Sequence, residues 1–149
     1  MNCHFSDQPF KVPVSISVVV ICDMRVLVKS GDLIHFPTCY FGGEKEPCEI
    51  PSIESKADAL LSGLVKGEYE VTNWIKVDAR SRVGRKNPDG CYSLDIGMLA
   101  IMDSVDIPIQ EEGYEWVVVN LDDSHFPTRL CSDHLSLWQA SRDMFEIMK

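Results

Sequence analysis

One apolar stripe at helical spacing runs through residues 50–68, between segments that alternate in the manner of strands. The stripe places residues at i, i+4, i+7, i+8, i+11 and i+12, namely Ile53, Ala57, Leu60, Leu61, Leu64 and Val65. A helix of this kind must bury its apolar face against another layer. We therefore predict a helix over 50–68, with Ser52 as its cap, Pro51 opposing an earlier start and Gly67 as its stop. Gly63 inside the helix predicts close packing.

The segments around this helix are rich in β-branched residues or alternate between apolar and polar, which is typical of strands. We predict strands over 14–22, 26–30, 69–81, 91–103 and 114–121, loops over 31–43 and 104–113, and a last helix over 131–149. The apolar stripe of the last helix includes Leu135, Trp138, Met144, Phe145 and Met148. This order indicates an α+β fold with a mixed sheet between helices.

Length and composition limit the class of protein. A chain of 149 residues suits a single domain, which we assign to 13–149, preceded by an N-terminal arm over 1–12. No apolar run reaches the roughly 20 residues that span a bilayer, and we expect neither a membrane partner nor a signal peptide. The net charge of −9 opposes binding to nucleic acid. The six cysteines are scattered, which favours reduced thiols in the cytoplasm.

Two short stretches carry candidate chemistry. GGEKEPCE, at 42–49, combines two glycines with three acids, and it is either a solvated turn or a loop that approaches a ligand closely. The basic stretch DARSRVGRK contains Arg82, Arg85 and Lys86, which either clamp phosphate groups or lie in a solvated loop.

The order of several motifs is informative. In FGGEKEPCE, at 41–49, the residues Gly42, Gly43, Glu46 and Glu49 match a loop pattern usually written P-G-G-x-V-E-x-G-E. Farther along lie GRKNPDG at 84–90, an E-x-x-W-like element over 112–116 and an Asp-His pair at 133–134. In this order the motifs resemble the Nudix hydrolase superfamily, and most closely its ADP-ribose pyrophosphatase-like branch. The resemblance covers residues 12–148 and implies a Nudix-like α/β/α sandwich with a mixed sheet between helices.

The second half of the resembled motif is degenerate. The Nudix box reads G-x5-E-x7-R-E-U-x-E-E-x-G-U, where U is a large aliphatic residue. Gly43, Glu49 and Val65 fit this pattern, and Asp58 stands for one of the three helix acids. The aligned arginine is Ala57, the other two acids are Leu61 and Ser62, and the final glycine is Leu64. In the family these acids hold divalent cations that neutralise a diphosphate and activate water.

The resemblance implies specific site residues. Glu46 and Glu49 are the candidate catalytic residues. Gly42, Gly43, Arg82, Arg85 and Lys86 are the candidate ligand-binding residues. The candidate metal ligands are Glu49, Glu54 and Asp58. Glu54 is not a box position: it shares one helix face with Asp58 at i, i+4, and its use needs the register of the box to slip by about one helical turn. They would hold Mg²⁺ or Mn²⁺, and the alternative is that no metal binds and that Glu54 and Asp58 are surface acids.

Three functions follow as hypotheses. The first is binding of a nucleoside-diphosphate-linked ligand, similar to ADP-ribose, with weak or no hydrolysis. The second is a divergent metal-dependent Nudix pyrophosphohydrolase, and the third is a ligand-free scaffold for protein interactions. The resembled branch also implies a homodimer. Trp74 and Tyr92 either stack on an adenine or belong to the core, while Asp133 either caps the last helix or, with His134, orients a ligand.

Overall fold

The computed structural model of the protein describes residues 13–42, 50–83, 92–103, 107–120 and 124–148. The expected arm over 1–12 lies outside these ranges. The elements in chain order are β1 (Pro13–Cys22), β2 (Arg25–Lys29), β3 (Thr38–Gly42), α1 (Ile50–Leu64), β4 (Val71–Val83), β5 (Tyr92–Met102), β6 (Tyr114–Val118), α2 (Phe126–Arg129) and α3 (Ser132–Ile147).

The strands form one six-stranded sheet with the order β4-β5-β1-β2-β6, and β3 pairs with the first half of β1. β1 runs parallel to β5 from Val14 opposite Leu94 to Cys22 opposite Met102. The remaining strand pairs are antiparallel. The sheet is therefore mixed, as predicted.

A helix covers each face of the sheet, because β1 is apolar on both of its faces. One core cluster includes Val14, Ile16, Val18 and Val20 of β1 with Ile53, Ala57, Leu61 and Leu64 of α1. The other includes Val19 and Ile21 of β1 with Leu137 and Trp138 of α3. The two faces alternate along the strand with a period of two. The predicted α/β/α sandwich is confirmed. Within the described residues, no helix has the length and apolar character needed to cross a membrane.

The first helix is confirmed in position, with different ends. It begins at Ile50, so Pro51 lies in its first turn, where a missing N–H breaks no helical bond, and Ser52 cannot be the N-terminal cap. It ends at Leu64 rather than at residue 68, because Gln110 of another segment donates hydrogen bonds to the last backbone carbonyls of the helix. The Gln110 amide donates to the carbonyls of Ser62 and Gly63 at 3.2 and 3.1 Å, and the Gln110 N–H donates to Leu64 at 2.9 Å.

The close packing that was predicted at Gly63 occurs at a different glycine, Gly97. A Cβ on Gly63 would meet no atom within 4 Å, so the prediction of close packing there is wrong. Gly97 in β5 is the tight position, because a Cβ there would clash with the Leu137 side chain of α3 and lie 3.2 Å from Cβ of Asp78. Gly97 thus sets how closely α3 approaches the sheet.

The expected loop over 31–43 contains a strand. β3 pairs with β1 from Ser17 opposite Thr38 to Pro13 opposite Gly42. Only five residues form it, and a neighbouring strand supplies its hydrogen bonds, so local pattern alone did not reveal it.

The last helix is confirmed, but its buried face is rotated from the expected one. The buried residues of α3 are His134, Leu137, Trp138 and Ser141, whereas Leu135 is 36 % exposed. Two of these four buried residues are polar, so the apolar pattern by itself predicted a buried face that includes Leu135 instead. Asp133 is not the cap. Cys131 is the N-cap residue and makes no side-chain cap bond, while Asp133 lies in the first turn.

Candidate functional site

An open cleft of about 650 Å³ lies between α1 and the first part of β4. Its lining residues are Glu54, Ser55, Asp58, Tyr69, Glu70, Val71 and Trp74. The apolar stripe of α1 packs on the sheet, which leaves its acidic residues at the cleft. Three carboxylates, a phenol and an indole therefore line one concave surface.

The two acids of α1 predicted as metal ligands both line this cleft. Glu54 and Asp58 are four residues apart on α1, and both are exposed. Their carboxylate oxygens are the donors that Mg²⁺ and Mn²⁺ accept, so the residues present fit such an ion in donor chemistry. Glu49, the third predicted ligand, lies outside the described residues.

Tyr69 anchors Asp58. Its hydroxyl donates to Oδ1 of Asp58 at 3.0 Å and lies 3.2 Å from the backbone carbonyl oxygen of the same residue. Burial and then the bond to Asp58 raise the pKa of Tyr69 to about 12. The phenol therefore remains a hydrogen-bond donor at neutral pH, and one oxygen of Asp58 is engaged while the other is free of this bond.

The aromatic wall of the cleft is Trp74. Its side chain is half-buried, packs against the α1-side core and also lines the cleft. The two readings of this residue, core or ligand contact, are thus compatible. The other aromatic candidate, Tyr92, begins β5, and its side chain lies outside the description.

Three residues of α1 that are apolar where the resembled motif has an arginine, a glutamate and a glycine face the core. Ala57 is fully buried, and Leu61 and Leu64 are 1 % and 5 % exposed. Ser62, by contrast, is exposed. The substitutions at 57, 61 and 64 therefore contribute to the contact between α1 and the sheet.

Several predicted site residues lie outside the described ranges. These are the catalytic candidates Glu46 and Glu49 and the ligand-binding candidates Gly43, Arg85 and Lys86. Gly42 is the last residue of β3, opposite Pro13, and Arg82 lies in β4 opposite Ser93, with its side chain undescribed. The structure brings together Glu54 and Asp58, and the remaining assignments stay predictions.

On the other face of the sheet, four residues form a closed ring of hydrogen bonds, called the His134 ring below. The Phe36 N–H donates to Nδ1 of His134 at 3.0 Å, so the neutral imidazole carries its proton on Nε2. Nε2 lies 3.2 Å from Oγ of Ser17, which lies 2.8 Å from Oγ1 of Thr38. The Thr38 hydroxyl donates back to the Phe36 carbonyl at 3.1 Å.

The direction of every bond in the ring follows from its backbone ends. Thr38 uses its proton on the Phe36 carbonyl, so Ser17 must donate to Thr38 and accept from Nε2–H of His134. Ser17 is therefore not activated by His134, since a general base would accept the serine proton. The alternative that Asp133 and His134 orient a ligand is not supported for His134, which is buried and bonded on both ring nitrogens.

His134 also belongs to a group of metal-ligand types with His35 and Cys131, whose ligand atoms lie within 4.8 Å of one another. The ring argues against a metal there. Nδ1 accepts from the Phe36 amide and Nε2 carries the proton, so His134 offers no lone pair to an ion. Burial also raises the pKa of the Cys131 thiol, which opposes the thiolate form that binds metals.

Tyr69 and Glu70 were not identified from the sequence as site residues. They follow α1 at a position where the pattern indicates only the start of a strand. The Tyr69–Asp58 bond links residues 11 positions apart, beyond the range of helix spacing rules.

Comparison with known proteins bears on the fold. No family model matches the chain, and no curated protein matches it. Among solved structures, the NUDIX domain of Shewanella oneidensis NrtR, complexed with ADP ribose, superposes with a TM-score of 0.63 at 16% identity, over 97% of this chain and 94% of that one. The E. coli dihydroneopterin triphosphate pyrophosphohydrolase gives 0.58 at 17% identity, over 95% and 100%.

A third structure is a Francisella tularensis bifunctional NMN adenylyltransferase/ADP ribose pyrophosphatase complexed with AMP and a Mn ion. It gives a TM-score of 0.52 at 11% identity, over 93% of this chain and 42% of that one. Together these structures show that the chain has the Nudix fold.

Proposed function

We propose that the chain binds a nucleoside-diphosphate-linked ligand, similar to ADP-ribose, in the cleft between α1 and β4, with weak or no hydrolysis. The observation that carries this proposal is the division of α1 into two faces. Leu61 and Ala57, at box positions for a glutamate and an arginine, are buried in the core. Glu54 and Asp58 line the cleft. A binding surface is thus retained, while most of the cation-holding acids of the resembled box are absent.

The fold supports the class of ligand. The NrtR domain that shares this fold is complexed with ADP ribose, and the Francisella protein is complexed with AMP and a Mn ion. In this chain we propose that Trp74 stacks on the adenine, because an indole surface at a cleft suits a planar base. Gly42 and Gly43 would let the backbone approach the diphosphate, and Arg82, Arg85 and Lys86 would bond its oxygens.

A divalent cation fits this scheme. We propose that Glu54 and Asp58, with Glu49, hold Mg²⁺ or Mn²⁺, which when bound would neutralise the diphosphate charge beside a chain of net charge −9. Tyr69 would keep one oxygen of Asp58 turned toward β4. Two or three carboxylates supply few of the roughly six oxygen ligands these ions require, so most of the remainder would come from water and phosphate.

A panel of nucleotides in a thermal-shift assay, with and without Mn²⁺, tests binding. We expect ADP-ribose to raise the melting temperature, and Asp58→Asn and Trp74→Leu to reduce that shift. Glu115→Gln is the matched control, because Glu115 is an exposed carboxylate on β6, at the opposite edge of the sheet from β4. A stable hetero-complex without a shift for any nucleotide would favour the scaffold hypothesis instead.

Divergent hydrolysis is the second candidate function, and the presence of two carboxylates one helical turn apart at the cleft favours it. In that case Glu46 and Glu49 would be catalytic residues. Release of AMP from ADP-ribose with Mn²⁺ at the median enzyme turnover of about 10 per second would contradict the binding proposal. The Glu49→Gln variant should then lose turnover, and persistence of activity in that variant would exclude this mechanism.

We also propose that the protein is a homodimer in the cytoplasm, as the resembled branch implies. Sedimentation equilibrium of the full chain, which has a monomer mass of 16.8 kDa, distinguishes a dimer from a monomer.

A further inference from the structure

The His134 ring contains one group that changes charge near neutral pH, the imidazole. We propose that His134 is an acid-labile latch. In its neutral form it accepts the Phe36 N–H and ties that amide to α3, and its protonation breaks that bond. This proposal does not depend on which ligand the cleft binds.

The closed order of donors leaves no place for a second proton on the ring. A proton on Nδ1 of His134 would point at the Phe36 N–H, which now donates to that nitrogen at 3.0 Å. Two donors would then face each other. Phe36 is 1 % exposed and His134 is 9 % exposed, so water cannot easily replace the lost bond.

The surroundings of His134 also oppose a positive charge. The residue lies in the first turn of α3, where the helix dipole disfavours cations. Its ring is 5.8 Å, between centroids, from the edge-on ring of His35, which supplies no negative charge to offset one. The Cys131 thiol, whose pKa burial raises, stays neutral there.

Two carboxylates belong to the elements that pack around the ring. Asp133 precedes His134 on α3 and is exposed, and Asp95 of β5 accepts a bond of 2.6 Å from Ser15 on β1. The bonds described for the imidazole go to an amide and a hydroxyl, which are both neutral. A carboxylate charge supplies no acceptor for the Phe36 N–H, so the geometric cost at Nδ1 remains.

The release should be local, because neighbouring backbone bonds do not titrate. The Ile34 N–H donates to the Arg129 carbonyl at 2.8 Å, the Cys131 N–H donates to the Ile34 carbonyl at 3.0 Å, and His35 exchanges two bonds with Lys29. These bonds hold residues 34 and 35 in either state. The Val18 N–H likewise donates to the Pro37 carbonyl at 2.9 Å, and β3 pairs with β1, so the latch acts on the Phe36 amide between these fixed points.

Amide hydrogen exchange followed by NMR tests the latch. Stability tied to a neutral histidine is present above the ordinary imidazole pKa of roughly 6.5 and is lost as the pH falls below it. Between pH 8 and pH 5, the protection factor of the Phe36 amide, corrected for intrinsic exchange, should fall by about 30-fold. Ile34 should change much less. A Phe36 protection factor that does not vary with pH would overturn the proposal.

Two variants assign the effect to the correct histidine. In His134→Asn, the amide oxygen can accept from the Phe36 N–H without titrating, so the pH dependence should disappear. His35→Asn removes the neighbouring exposed histidine and should keep most of the 30-fold change. Equal pH dependence in His134→Asn and the wild type would contradict the latch.

The wild-type protein provides a test that needs no variant. A long-range ¹H–¹⁵N correlation of the imidazole at pH 7.5 should show the Nε2–H tautomer of His134. An Nδ1–H tautomer, or an imidazolium at that pH, would refute the order of the ring.

Discussion

Replacing Leu61 with glutamate would return a carboxylate to a position where the resembled box has one. If the apolar residue were only an absent ligand, this change would complete a cation site. In the structure, however, Leu61 is 1 % exposed and belongs to the core between α1 and the sheet. We therefore expect Leu61→Glu to destabilise the fold and to gain no metal-dependent activity.

The expected loss of folding stability in Leu61→Glu has two contributions. Loss of a fully buried leucine side chain removes about 2 kcal/mol of transfer free energy. A buried glutamate must stay protonated at pH 7, which costs about 3.7 kcal/mol from a pKa of about 4.3 at 1.36 kcal/mol per unit. Together these approach ~6 kcal/mol, close to the lower end of domain stabilities, which are about 5–15 kcal/mol. The variant should be marginally folded at neutral pH.

The pH dependence identifies the cause. Burial raises the pKa of the introduced carboxyl in the folded state, so the unfolded state loses its proton first as pH rises above about 4.3. The loss of unfolding free energy in the variant, relative to the wild type, should therefore be about 3 kcal/mol smaller at pH 4.5 than at pH 7.

Urea denaturation, followed by tryptophan fluorescence and corrected for the wild type at each pH, measures both quantities. Ala59→Glu is the matched control, because position 59 is exposed on the same helix. It should change stability by no more than about 0.5 kcal/mol. A Leu61→Glu protein as stable as the wild type at pH 7, with a Mn²⁺-dependent hydrolase activity, would refute the argument that this position belongs to the core.

Three further predictions concern the packing around the site. Gly97→Ala should lower the free energy of unfolding by about 1–3 kcal/mol, because Leu137 must move. Gly63→Ala lies in open space and should raise the free energy of unfolding by about 0.4–1 kcal/mol. Equal effects of the two variants in urea denaturation would contradict this difference in packing. Tyr69→Phe should remove a phenol titration near pH 12 from the ultraviolet absorbance curve, and loss of a titration near the ordinary value of about 10 instead would contradict the burial and the Asp58 bond. Gln110→Ala should destabilise by about 0.5–1.5 kcal/mol through loss of the bonds at the end of α1, which hydrogen exchange at its last turn would detect.

The sequence was a good guide where one element buries one face. The stripe from Ile53 to Leu64 predicted the buried side of α1, and the alternating, β-branched pattern over 14–22 predicted a strand. The order of motifs along the chain was enough to indicate the Nudix fold, which the solved structures show at identities of 11–17%.

The sequence was a poor guide where burial is decided by a partner. His134 and Ser141 are buried in α3 although they are polar, since the sheet and the Phe36 segment surround them. Gly63 and Gly97 look alike in the sequence, yet only Gly97 faces another layer at close range.

Residue order alone therefore determined the class of fold and the buried face of α1, because these depend on periodicity and on residue type. Only the tertiary structure decided that Leu61 belongs to the core, that Tyr69 holds Asp58 at a cleft, and that His134 closes a ring with Phe36. Those three facts depend on contacts between residues distant in the chain, and such contacts exist only after the sheet brings the segments together.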